Sequence, residues 1–177
     1  MPTAIVLLRA VNVGGTSKLP MATLKATLEG LGCTDVRTLL ASGNAVVTTK
    51  KKGPALEEAL EEALAASHGL ATDVMVRSPA EWSVALAKNP MRAVAEADPS
   101  HFVVVAFKAA PSPADVAAFG AAKTRGGWAE PVHVVGAHAY VHYPQGQART
   151  KLSLAKLGVG TARNWSTCKK LLEMSGG

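Results

Sequence analysis

Strand and helix patterns that alternate twice along 177 residues predict an α+β protein of two ferredoxin-like (α/β-plait) subdomains with a C-terminal helical tail. Three observations carry that expectation. Residues 3–77 read as strand, helix, strand, strand, helix, strand; a similar order restarts at residue 78; and the run HFVVVAF at 101–107 is apolar almost throughout, as a strand covered on both faces must be. The expected division is 1–77 for the first subdomain and 78–177 for the second with its terminal helices.

Taken in order, residues 3–9 form an apolar strand, and the chain then enters a polar loop. Residues 20–31 read as a helix with Leu24, Leu28 and Leu31 on one face, Pro20 in its first turn and Gly32 as its stop. Two short β-rich runs, 36–40 and 44–49, are separated by the bend Ala41-Ser42-Gly43. Lys50, Lys51 and Lys52 mark a solvated break before a helix over 55–68, with Leu56, Leu60 and Leu64 inward and Glu57, Glu58, Glu61 and Glu62 largely on the wet side. Residues 72–77 complete the first set as a strand.

In the second half, Ser78 and Glu81 have the spacing of a capping box, and Asn89-Pro90 ends the helix that they begin. A helix over 112–123 opens with Ser-Pro, and 124–130 read as a loop around Gly126-Gly127. Residues 132–135 and 139–143 form a hairpin across Gly136-Ala137-His138. From residue 150 the chain reads as helical with an interruption at 158–160, Thr161 serving as N-cap of the last helix and Trp165 buried. No residue-level repeat relates the two halves.

Composition narrows the function classes. Hydrophobic content of 48% with 18% charged residues is ordinary for a globular chain, and no apolar run approaches the roughly 20 residues that cross a bilayer, so no membrane partner is expected. The amino terminus lacks a basic region before its apolar run, which argues against a signal peptide and for a cytoplasmic protein. Cys33 and Cys168 have neither CxxC nor Cys/His spacing, so they read as buried thiols. A net charge of +6 and a pI near 9.5 favour anionic partners through the long-range field. Three Phe, two Tyr and three Trp supply little material for base-stacking platforms, which places nucleic acid behind a small ligand.

The stretches LLRAVNVGG, KLPMATLKATLEGLG, DVRTLLASGNAVV, VHYPQGQARTKL and TARNWSTCKKLLEM occur in this order between residues 5 and 174. Together they resemble the DUF1697 family, bacterial proteins of unknown function. The resemblance implies two α/β-plait subdomains and implies no activity. The chain departs from the family pattern at Ala10, where a glycine usually follows the arginine, and at Ala148-Arg149-Thr150, where Gly-Arg-Ser is usual.

Four groups of residues are candidates for chemistry. In the loop after the first strand, Arg9, Asn12, Gly14, Gly15 and Lys18 combine charge, an amide and open backbone, although VGGTSK has the spacing of neither nucleotide-binding fingerprint. Ser42 and Asn44 flank the bend between the second and third strands. If the first and third strands are antiparallel neighbours, that bend meets the loop at one end of the sheet; Ser and Asn also satisfy turn backbones on their own account. Further along, Arg149, Lys151 and Arg163 could grip a carboxylate or phosphate. Among the five histidines, His138 and His142 fall on one strand, about 13 Å apart by the usual rise and too far to share a metal. No hydrolase template is present, and Asp35, Asp73, Asp98 and Asp115 sit at turn or cap positions. The expectation is therefore a protein without a tightly bound cofactor or metal that binds a small anionic ligand, phosphorylated compounds included, near the first loop. A nucleic-acid-binding protein and a structural homodimer are the alternatives, and no reaction is named by the residues.

Overall fold

The computed structural model describes every residue except Thr16 and Gly177. Its first sheet contains β1 (Thr3–Leu8), β2 (Thr34–Leu39), β3 (Asn44–Thr48) and β4 (Val74–Arg77), in the spatial order β2-β3-β1-β4 with every neighbouring pair antiparallel. Helices α1 (Met21–Gly30) and α2 (Gly53–His68) complete the βαββαβ order, so the expected split βαβ arrangement is what forms. Leu24 and Leu28 of α1 and Leu56, Leu60 and Leu64 of α2 pack with Val6 and Leu8 of β1, and all are fully buried. Ile5 and Leu7, which point from β1 to the opposite face, are also fully buried. A strand without a wet face must read as a continuous apolar run, and this one does.

The glutamates of α2 divide differently from the expectation. Glu57 is buried and Glu61 half-buried. β4 is an edge strand, and the backbone N–H groups of Val74 and Val76 donate to Glu61 Oε1 at 2.7 Å and Glu57 Oε1 at 2.8 Å. These carboxylates turn inward because the edge of the sheet offers donors that no neighbouring strand takes up, and by covering them they close the edge.

The second sheet contains β5 (Phe102–Phe107), β6 (Val132–Val135), β7 (His138–His142) and β8 (Gly160–Asn164), ordered β6-β7-β5-β8 and again antiparallel throughout. Helix α3 (Pro79–Ala87) starts at the predicted capping box, where Ser78 N donates to Glu81 Oε2 at 2.7 Å and Glu81 N to Ser78 Oγ at 3.2 Å. It is followed by a short α4 (Arg92–Ala97) that the sequence pattern does not announce. Helix α5 (Pro113–Gly126) is capped by Ser112 and Asp115 and runs three residues into the stretch read as loop. Its Phe119 packs with Val103, Val105 and Phe107 of β5.

The carboxyl-terminal part corrects the expectation. Residues 150–159 are not a helix but an extended connection with a single 3-10 turn at Ala155–Leu157, and a second such turn, Gln147–Arg149, precedes it. Residues 160–164 are a strand, so Thr161 is not a helix cap. Asn164 takes that role for α6 (Trp165–Met174), its Oδ1 accepting from Thr167 N at 2.9 Å. The reason is tertiary: β5 has a free edge, and pairing with it satisfies backbone groups that the local sequence GTARN would not organise alone. Trp165 is buried as expected, edge-on to Phe102 with ring centroids 5.9 Å apart.

The two compact units are 1–84 with 170–177, and 85–169, compared with the expected 1–77 and 78–177. The last residues belong with the first unit, where Arg37 Nη2 donates to Met174 O at 2.6 Å. Equivalent registers relate the sheets where the sequence shows no repeat. The third residue of each central strand, Ile5 or Val104, faces an arginine on the last strand, Arg77 or Arg163. In each case the next residue, Ser78 or Asn164, caps a helix.

Two stability measurements check these contacts. Gly43, at φ 81°, has Val11 Cγ2 2.6 Å and Leu8 Cβ 2.9 Å from where a Cβ would sit, so Gly43→Ala should cost at least about 2 kcal/mol in urea unfolding, from left-handed strain and overpacking together. Glu57→Ala leaves the Val76 N–H buried without its acceptor and should cost about 1–3 kcal/mol, whereas Glu58→Ala on the exposed side should change stability by less than about 0.5 kcal/mol.

Candidate functional site

The antiparallel pairing of β1 with β3 brings the first loop to the Ser42 bend. Leu7 lies opposite Asn44, and Leu8 N donates to Gly43 O at 2.8 Å. The loop leaves β1 at Leu8 and is pinned by Val11 and Leu19, both in the core. Between them Asn12, in a left-handed conformation, spends its whole side-chain amide on backbone: Oδ1 accepts from Leu19 N at 2.8 Å, and Nδ2 donates to Leu19 O at 2.8 Å and Ala41 O at 2.6 Å. Asn44 is fully buried, its Nδ2 donating to Leu39 O at 2.7 Å and Ser42 Oγ at 3.0 Å. The expected meeting of loop and bend therefore exists, and these amides act as its fasteners.

Charge at this end is modest. Arg9 turns toward the start of β4, where its Nη1 lies 3.2 Å from Asp73 Oδ2 with both side chains well exposed. A hollow of about 470 Å³ is lined by Asn12, Gly15, Lys18, Leu19, Met21 and Ala41, so that among the described residues Lys18 is its one cation and most of its wall is apolar. Gly14 and Gly15 have left-handed φ of 60° and 77°, with open space around them.

Arg149 and Lys151 lie elsewhere, in the second unit, on a hollow of about 470 Å³ that also exposes Trp128, Glu130, Tyr143 and Gln145. One wall is the segment after α5. Trp128 N donates to Lys123 O at 3.2 Å, Lys123 Nζ donates to Trp128 O at 2.5 Å, and the indole lies so close to Gly126 that a Cβ there would be 2.5 Å from Cε2. The other wall is the connection leaving β7. The Thr150 hydroxyl, between the two cations in sequence, donates to Glu130 Oε1 and ties the walls together. That bond is the main cause holding the Glu130 carboxyl below its ordinary range. Burial, with the nearby Glu130 charge, pushes the Tyr143 hydroxyl upward. Among the described residues, neither Arg149 nor Lys151 makes an ion pair or a side-chain hydrogen bond.

Arg163 is in neither hollow. It is buried on β8, with Nη1 donating to Thr161 Oγ1 at 2.7 Å and Ala162 O at 2.9 Å, and burial lowers its pKa to about 10, still far above neutral pH. Cys168 Sγ lies 3.4 Å from Arg163 O, and complete burial pushes this thiol up to about 12, which keeps it protonated and unreactive.

Tertiary structure also assembles a group that sequence spacing could not show. Asp98, the C-cap of α4, lies 2.9 Å from His142 Nε2 through Oδ2 and 3.0 Å from His101 Nδ1 through Oδ1. The His142 contact is the largest influence holding the Asp98 carboxyl down. Among the described residues, no group of three or more His, Cys, Asp and Glu side chains is placed to hold a metal ion. No helix among them is long and apolar enough to cross a membrane.

Comparison with known proteins gives kinship without an activity. The conserved bacterial protein SP0830 from Streptococcus pneumoniae has a similar structure, with a TM-score of 0.71 over 98% of each chain at 20% sequence identity, a level that speaks for the fold alone. No curated protein matches the chain. The model of the family described as "Protein of unknown function (DUF1697)" matches residues 1–140, most of the chain, and this chain belongs to that family.

Proposed function

We propose that this protein binds a small anionic ligand, and that the hollow of the second unit is where it does so. The observation that carries this reading is the presence of two cations, Arg149 and Lys151, on one concave surface with no carboxylate bound to either among the described residues. Arg can grip a carboxylate or phosphate through two parallel N–H groups, and Lys adds a point charge. The volume of about 470 Å³ falls in the range of small-molecule sites. The first-loop hollow is the weaker place, because Arg9 is paired with Asp73 and the Asn12 amide is consumed in holding the loop, which leaves Lys18 to act alone. The net charge of +6 supports the same reading by drawing anions to the surface at low salt.

Thermal unfolding with millimolar pyrophosphate or citrate tests it, because a ligand bound only to the folded state raises the midpoint by mass action. The double variant R149A/K151A should lose the shift, with affinity falling about 10- to 100-fold for the lost charge-assisted contacts. Arg9→Ala and Lys18→Ala should keep it. Loss of the shift in K18A alone would place the anion at the first loop instead, and no shift in the unaltered protein would overturn the reading.

A further inference from the structure

Resting on the anion site just described, we propose that its ligand joins a flat heteroaromatic ring bearing an N–H donor to the anionic group, the chemistry of a nucleoside monophosphate. A bare anion answers the two cations and leaves the rest of this hollow unmatched. Glu130 stands on the wall facing the two cations, and its carboxylate repels phosphate or carboxylate brought close to it. A ligand that offers this carboxylate an amino group, while its negative end meets Arg149 and Lys151, turns that repulsion into a directional hydrogen bond. Thr150 bonds Oε1 of Glu130 and the residue lines the hollow, so its carboxylate is the acceptor that a ligand N–H would meet there.

The ring is argued from Trp128. Its indole is held close to Gly126 and its backbone is tied to Lys123, and it packs on the core of the second unit while remaining half-buried and lining the hollow. The ring is therefore fixed before any ligand arrives, and a planar group can stack on it without ordering it first. Donor-seeking carboxylate, aromatic face and paired cations sit on two short wall segments, 128–130 and 149–151, which the Thr150 to Glu130 bond holds at fixed separation.

Calorimetric titration of the full chain with AMP, GMP, ribose 5-phosphate and inorganic phosphate tests this, with tryptophan fluorescence as a second readout. Trp82 and Trp165 are buried, so a change on ligand addition reports Trp128, and Trp128→Leu should abolish it. At least one nucleotide should bind about tenfold or more tightly than ribose 5-phosphate. Glu130→Gln, which keeps an acceptor for Thr150, should reduce that preference without weakening ribose 5-phosphate, whereas R149A/K151A should weaken both. Equal affinity for nucleotide and ribose 5-phosphate would overturn the ring while leaving the anion site standing. Binding of nucleotide that survives R149A/K151A, or no binding of any probe, would overturn the anion site itself. A 5′-phosphorylated hexanucleotide that binds more tightly than the mononucleotide would overturn the small-molecule form in favour of a nucleic-acid end.

Discussion

A strand with no polar side must be covered on both faces, and the two central strands of this protein impose that demand on everything around them. Residues 5–8 of β1 and 102–107 of β5 are out of water on either face. Each strand is flanked by two antiparallel neighbours, and each sheet buries one face under helix or 3-10 turns that contribute leucine and phenylalanine. Because apolar burial is worth about 1.5–3 kcal/mol for each large side chain, the register that keeps these faces dry is strongly favoured over any slip.

Polar groups then survive in the sheets only where backbone or a neighbouring hydroxyl satisfies them. Asn44 at the end of β3 bonds Leu39 O and Ser42, and Arg163 on β8 bonds Thr161 and Ala162. Arg77, at the matching position of the first sheet, is pulled below its ordinary pKa by burial, and the charges of Glu57 and Glu81 oppose that pull. Such groups are structural because desolvation forces them to find partners inside the protein. Charge free to meet a ligand is left to the connections, and among these the segment 149–151 presents it on a concave surface.

The candidate residues divide along this line. In the sequence Asn12, Ser42 and Asn44 read as directional hydrogen-bonding groups, and they do converge, but on backbone carbonyls and on one another. Residue type and sheet order are enough to foresee convergence; which way an amide points depends on atoms from 29 residues away, as with Asn12 and Ala41. Arg163 differs from its local appearance for a related reason. In the string TARNWST it looks like a solvated cation beside a helix start, and only the pairing of 160–164 with β5 shows it to be buried. No spacing rule could have joined Asp98 to His142, which lie 44 residues apart, or Glu130 to Thr150 across the hollow.

By itself the sequence determined the alternation of elements, the apolar central strands, the starts of α3 and α5 through their caps, and the meeting of the first loop with the Ser42 bend. These follow from local periodicity, from side chains that bond their own backbone, and from the few ways a βαββαβ order can pair. Tertiary structure alone decided that 160–164 would be a strand, that Glu57 and Glu61 would cover the edge of β4, and that Arg149 and Lys151 would face Trp128 and Glu130 across a hollow. In each of these cases the deciding partner is distant in the chain. Unsatisfied backbone groups at a sheet edge, or the free edge of β5, select a conformation that the local residues leave undecided.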